Sequence, residues 1–232
     1  MRKTLFTTLL LLLSALAYSQ PSAGTFSIIP RLGVSLSSLT KESILIAGSE
    51  GAEVKSRYKT GMIAGVDLDY QVLPSVSVSL GAYYSDQGCK YDDYESAVTG
   101  SANTYNGYTN LRTNLGYINV PLMLNMYAAS NFAVKVGVQL GFNVSGKMEY
   151  TEATFVRKDD GSTDYQRPVE HKEDINPATL DFSIPVGLSY EYMNVILDAR
   201  YNIGLTNVYH GLEGFSSKNS VVTLSAAYRF KL

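Results

Sequence analysis

Between Ile28 and Leu232, apolar residues recur at every second position in eight separate stretches, the period of a strand with two unlike faces. The last is the clearest. Val222, Leu224, Ala226, Tyr228, Phe230 and Leu232 alternate there with Val221, Thr223, Ser225, Ala227, Arg229 and Lys231. The same alternation marks Ile28 to Leu36, Met62 to Tyr70, Val76 to Tyr84, Ile118 to Met126, Phe132 to Val144, Leu180 to Tyr190 and Val195 to Leu205. None of these stretches carries the 3.6-residue period of a helix. The connections between them alternate in length. Short ones fall at Leu73-Pro74-Ser75, Ala128 to Asn131 and Met193-Asn194, and long polar ones near 40–57, 89–113, 149–176 and 207–219. The pattern predicts an all-β fold: an eight-stranded antiparallel up-and-down transmembrane β-barrel with short periplasmic turns and long extracellular loops. Asp159-Asp160-Gly161-Ser162 reads as a turn between extensions of the fifth and sixth strands.

Alternation alone does not say which face meets solvent, because a soluble eight-stranded carrier of hydrophobic ligands has the same period. The polar face decides. It is mostly Gly and Ser, among them Gly33, Ser35, Gly65, Ser77, Ser79, Gly81, Gly137, Gly141, Ser183 and Gly187, where a water-facing surface would carry many Lys and Glu. Its charges are Arg31, Asp67, Asp69, Lys135, Asp198, Arg200, Arg229 and Lys231. Both signs are present, so these groups are expected to pair inside a narrow lumen or to sit at its rim. At the lipid midplane one such cation would cost about 2–4 kcal/mol. Aromatics at the ends of the apolar face, Tyr70, Tyr84, Phe132, Tyr190, Tyr192, Tyr228 and Phe230, suit interfacial girdles. Pro121 and Pro185 fall inside strands, where each removes a ladder donor, and β-bulges are the expected accommodation.

The N-terminus changes the compartment. Met1-Arg2-Lys3 precedes an apolar run from Leu5 to Leu16 and the small residues Ala15, Ala17 and Ser19, the form of a secretory signal peptide cleaved after Ala17 or Ser19. Residues 20–232 are then the barrel domain, in the cell outer membrane of a Gram-negative envelope. The apolar run is shorter than the roughly 20 residues a membrane-spanning helix needs. Tyr (18) and Gly (19) are abundant, Trp is absent and 17% of residues are charged, which favours strands and turns over charged helices. Without Arg2 and Lys3 the chain carries a net charge of about −4, which argues against a nucleic-acid partner. A single cysteine, Cys89, excludes an internal disulfide and is expected in a loop or at the rim.

Several segments together resemble a known family. They are Gly33-Val34-Ser35, Gly65-Val66 with Tyr70, Leu80-Gly81-Ala82-Tyr83-Tyr84-Ser85 followed by Gly88, Tyr117-Ile118-Asn119-Val120-Pro121-Leu122, Gly137-Val138, Arg200-Tyr201 with Gly204-Leu205-Thr206-Asn207, and Tyr228-Arg229-Phe230. Their order is similar to that in the PorT-like outer-membrane β-barrel family. The resemblance implies an eight-stranded outer-membrane barrel; most members have no assigned activity, and the founding type is linked to protein secretion and gliding. The terminal Tyr228, Phe230 and Leu232 also resemble the strand signal read by the barrel-assembly machinery.

Candidate chemistry is sparse. His210 with Glu213, Ser216 and Ser217 is the best set for a loop-based lipid hydrolase, without a Gly-x-Ser-x-Gly elbow to support it, and His171 is the second histidine. Asp92, Asp93 and Glu95, and separately Asp159, Asp160 and Asp164, lack the alternating ligand pattern of a calcium loop. No catalytic, metal or cofactor motif is predicted. Tyr91, Tyr94, Tyr105 and Tyr108 would make either an adhesive outer surface or an extension of the hairpin. The sequence therefore favours a non-enzymatic outer-membrane barrel that touches outer-membrane lipid and has external loops available to a protein partner. Narrow porin-like transport, a lipid hydrolase and a soluble periplasmic carrier are the alternatives.

Overall fold

The computed structural model describes residues 22–40, 43–44, 54–209 and 217–232; the predicted leader and His210, Glu213 and Ser216 lie outside the described residues. Eight strands form the body: β1 (Phe26–Thr40), β2 (Val54–Leu73), β3 (Val76–Tyr91), β4 (Thr104–Ala129), β5 (Phe132–Arg157), β6 (Leu180–Tyr192), β7 (Val195–Gly204) and β8 (Lys218–Tyr228). Each pairs antiparallel with its sequence neighbour, and β1 pairs with both β8 and β2, which closes the ring. Arg31 thus lies opposite Ala227 on one side and Gly65 on the other. Phe230–Lys231 continues β8 in the same register, opposite Ile28 and Ser27. No sheet edge is left open within the ring, which satisfies the backbone where water is absent.

Burial is inverted relative to a protein that folds in water. On the outer surface Leu32 is 63% exposed and Leu197 60%, with Leu80, Leu122, Val138 and Leu224 also exposed. On the inner surface Asp67 and Asp69 are each 2% exposed, and Arg31, Lys135, Asp198, Arg200 and Arg229 are buried. A soluble carrier would hide the first set and wet the second. An apolar belt around the whole barrel is far larger than a soluble monomer exposes, and it matches the hydrocarbon of a bilayer. Aromatic rings gather at the short-turn end of this belt: Phe26 and Tyr70 lie 4.6 Å apart, and Tyr228 and Phe230 4.7 Å.

Both strand prolines are buried, and neither sits in a bulge. Pro121 stays in an unbroken register with Gln139, and Pro185 with Asn202. The ladder opens on the other side of each instead: β3 and β4 pair at Leu80–Leu122 and again at Tyr83–Asn119, and β5 and β6 at Gln139–Ser183 and again at Val136–Val186. A missing N–H costs only the bond on the side it would have faced, so an opened rung suffices and no residue need be inserted. Gly81 stands beside the first opening. A Cβ there would lie 2.7 Å from Asp67 Oδ1 and 2.8 Å from the Tyr83 hydroxyl, so the close approach of the Tyr83 ring requires glycine.

The long connections are shorter than the polarity of their residues predicts. β4 and β5 each run 26 residues and pair far beyond the ring. Tyr94–Ala97 pairs with β4, and Thr163–Tyr165 and Val169–Asp174 pair with β5. An outer sheet results. Exposed strands with water on both sides need no apolar alternation, which is why periodicity did not reveal them. The turn at Asp159 to Ser162 falls within this sheet, closed by the Asp160 carboxylate accepting from the Ser162 N–H and hydroxyl.

Candidate functional site

The inward charges are brought together in two groups. In the first, Asp198 accepts from Lys135 Nζ at 2.6 Å and Arg200 Nε at 2.7 Å and lies 3.1 Å from Arg31 Nη1. Asp67 accepts from Arg31 Nη2 at 2.7 Å and from the Tyr83 hydroxyl. The guanidinium carbons of Arg31 and Arg200 each lie 5.5 Å from the centre of the Tyr83 ring, and Arg31 also donates to Ser225. Strands β1, β2, β3, β5, β7 and β8 therefore all contribute to one cluster across the lumen. The second group lies nearer the short turns. Arg229 bonds Asp69 at 2.7 Å, Glu191 at 3.0 Å and the Tyr127 hydroxyl at 3.0 Å. Asp69 also accepts from Ser77 and Asn125.

Lys231, the remaining charge of the predicted set, is exposed at the rim. Sequence reasoning missed Glu191, Tyr83 and Tyr127 in these groups and, further out, the buried Lys59, paired with Asp86, and Asp181, which accepts from Thr206. Glu191 was readable, since it alternates with Tyr190 and Tyr192 on the outward face and so must point inward. With it, the two groups hold four cations, Arg31, Lys135, Arg200 and Arg229, against four carboxylates, Asp67, Asp69, Asp198 and Glu191. That balance is what allows so many ions to stay buried. Tyr83 and Tyr127 were hidden because an aromatic residue suggests the apolar face by default.

Towards the outer end the lumen changes character. Leu39, Cys89, Tyr91, Leu111, Leu115, Tyr117 and Val208 form a buried apolar cluster, with Tyr94, Met148, Tyr150, Ile175 and Tyr209 packed against it. Cys89 is neither in a loop nor at an exposed rim: it lies within β3 and is fully buried, and Tyr91 is buried beside it. Gly88 precedes it at φ 116°, a conformation that favours glycine. The inward sequence of β3 and β4 turns from Ser and Asn to Leu and Tyr at this level, and the cluster closes the mouth.

Above the mouth, the outer sheet carries stacked rings. Tyr94 and Tyr108 are 6.2 Å apart, Tyr108 and Tyr150 6.0 Å, and Tyr150 and His171 4.8 Å. Tyr105, Phe155 and Tyr165 form a second row, with the Arg157 guanidinium 4.6 Å from the Tyr105 ring and its Nη2 2.6 Å from Glu95. Tyr94, Tyr105 and Tyr108 thus lie in strands that extend the hairpin. Burial and then the Glu152 carboxylate push the Tyr108 hydroxyl up, and burial and then Glu173 do the same to Tyr150. Hydrogen bonds from Lys172 and then Arg112 hold Glu149 down at about 2.

Neither acidic cluster gathers a metal-binding set among the described residues. Asp92 pairs with Arg57 and Glu95 with Arg157, Asp160 closes its own turn, and Asp164 lies 3.9 Å from Lys158. Ser217 is buried and accepts from the Val208 N–H through its carbonyl.

A family profile described as the outer membrane protein beta-barrel domain matches residues 18–210. The chain belongs to that family. As an outer membrane protein beta-barrel it resides in the outer membrane, in agreement with the outward apolar belt. Among solved structures it is similar to Ail, the attachment invasion locus protein of Yersinia pestis, at 14% identity over 90% of this chain and 99% of that one, with a TM-score of 0.39. Neisserial surface protein A matches at 13% identity over 88% and 97%, with a TM-score of 0.40. The outer membrane protein AlkL matches at 16% identity over 93% and 94%, with a TM-score of 0.36. No curated protein matches the sequence closely enough to count as a relative.

Proposed function

We propose that this outer membrane protein beta-barrel is a closed, non-enzymatic barrel that serves as a membrane-anchored base for its outer sheet, which makes contacts outside the cell. One observation carries the reading: the lumen is crossed by the buried cluster of Arg31, Asp67, Tyr83, Lys135, Asp198 and Arg200. A solute would have to separate paired ions in a space that eight strands barely provide for side chains. The apolar mouth cluster adds a second obstruction. What remains able to act is the outer sheet, pre-ordered by its ladder and stacked rings, which lowers the entropy cost of binding a partner.

In the same reading the chain is exported with a leader removed after Ala17 or Ser19, and its terminal Tyr228, Phe230 and Leu232 are recognised during assembly. Tyr228 and Phe230 point outward at the end of the last strand, on the apolar belt. The PorT-like resemblance supports the barrel and its envelope setting. The test is conductance of the purified protein in planar bilayers. The reading predicts no steady openings for the wild type and none for a variant lacking the outer strands; steady, solute-dependent conductance would replace it with passive transport.

A further inference from the structure

Where the barrel leaves the membrane, its outward face carries a row of charges in direct cross-strand register. Arg57 lies opposite Lys90, Lys90 opposite Arg112, Arg112 opposite Glu149, and Glu149 opposite Lys172. Cys89, Tyr91, Leu111 and Thr113 point inward and are buried, so Lys90 and Arg112 point out. An apolar belt about 25 Å tall, crossed at about 40°, takes about ten residues of strand. On β4 that is Met126 to Gly116. Arg112 stands four residues further on, about 10 Å beyond the belt, within reach of headgroups for a long side chain that can bend back towards them.

Like charges directly opposite one another destabilise a sheet, yet three cations stand side by side here. Two have answers: Arg57 bonds Asp92, and Arg112 bonds Glu149 at 2.6 Å, a carboxylate shared with Lys172 at 2.6 Å. The Lys90 ammonium has no carboxylate and no hydrogen-bond partner among the described residues. The row therefore presents an uncompensated ammonium flanked by two guanidinium groups at headgroup level. Arg and Lys in this arrangement match a phosphate, which accepts several charge-assisted hydrogen bonds at once.

We propose that Lys90, between Arg57 and Arg112, seats the phosphate of a phosphorylated glycolipid headgroup in the outer leaflet. The site rests on the outward apolar belt and not on any role of the outer sheet as a contact surface. The test is native mass spectrometry of the detergent-purified protein with bisphosphorylated lipid A or its dephosphorylated form. The wild type is expected to retain the phosphorylated lipid at least tenfold better. Lys90→Gln, which leaves the ion pairs of Arg57 with Asp92 and of Arg112 with Glu149 intact, should reduce retention about tenfold, and Lys90→Glu should abolish it. Lys231→Gln, at the opposite rim, should change nothing. Heat-modifiable migration establishes that each variant is folded, and if Lys90→Glu fails that control the Lys90→Gln result stands alone. Equal retention of the two lipids, an unchanged folded Lys90→Gln protein, or complete displacement of the lipid by 10 mM inorganic phosphate, on the order of what a free-phosphate site would need, would each overturn the proposal.

Discussion

The two halves of the lumen are filled by opposite means. Near the short turns the filling is ionic, and each buried cation is paired with a carboxylate, most across strands, as Lys135 is with Asp198. Near the outer mouth it is chiefly apolar, with Leu115 and Cys89 as fully buried as any described residue and one ion pair, Lys59 with Asp86, at its edge. The first kind of filling is specific and intolerant, because removing one partner strands another charge. The second is held mainly by packing, and its losses scale with the space left behind. Lipid stabilises any apolar residue on the outer face alike, so that face does little to choose one strand arrangement over another. Specificity comes instead from the lumen, where buried ions need particular partners.

The largest effect is expected at Asp198. Asp198→Ala leaves Lys135 without its carboxylate and strips Arg31 and Arg200 of one each, at about 3–5 kcal/mol. Urea titration in phospholipid vesicles, read as the loss of the fast-migrating unboiled band, should show a correspondingly lower midpoint. Leu115→Ala in the mouth cluster should follow at about 3 kcal/mol by the same assay. The two sites share no partner, so the double variant should lose the sum to within about 0.5 kcal/mol. Strong coupling would mean that the two fillings are not independent.

Tyr83→Phe comes next. It keeps the ring beneath Arg31 and Arg200 and removes the hydrogen bond to Asp67, an expected loss of about 2 kcal/mol because the acceptor is charged and buried. The smallest effect belongs to the outer sheet. Glu149 is held at about 2 against an ordinary 4.5, so its bridges to Lys172 and Arg112 stabilise the sheet fully above about pH 4.5. They are lost as the pH falls through 2. Glu149→Gln should speed amide exchange in residues 104–112 and 147–152 at pH 7, after correction for intrinsic rates. The difference from wild type should vanish near pH 2.

The ring was legible because lipid on one side and a packed lumen on the other impose a strict period of two. Eight stretches, three short turns and the inward placement of seven charges all follow from that single constraint. Where the constraint lapses, so does the reading. Tyr83 and Tyr127 break the rule that aromatics face lipid, since each ring turns inward and brings its hydroxyl to a buried ion. The mouth cluster turns the inward face apolar, which period-two reasoning reads as noise. The outer strands of β4 and β5 have no lipid on either side and so no alternation to detect. The prolines were placed correctly in strands, but a bulge was expected where an opened rung suffices.

The alternating apolar face meets lipid while the charged face closes the lumen. Single nitroxide labels at Leu32, Leu80 and Leu197, in a Cys89→Ala background reconstituted in bilayers, test it most directly. All three should be mobile and relaxed strongly by oxygen, and insensitive to a water-soluble nickel complex. Relaxation by nickel at these positions, or labels immobilised and shielded from both reagents as in a protein core, would contradict the account.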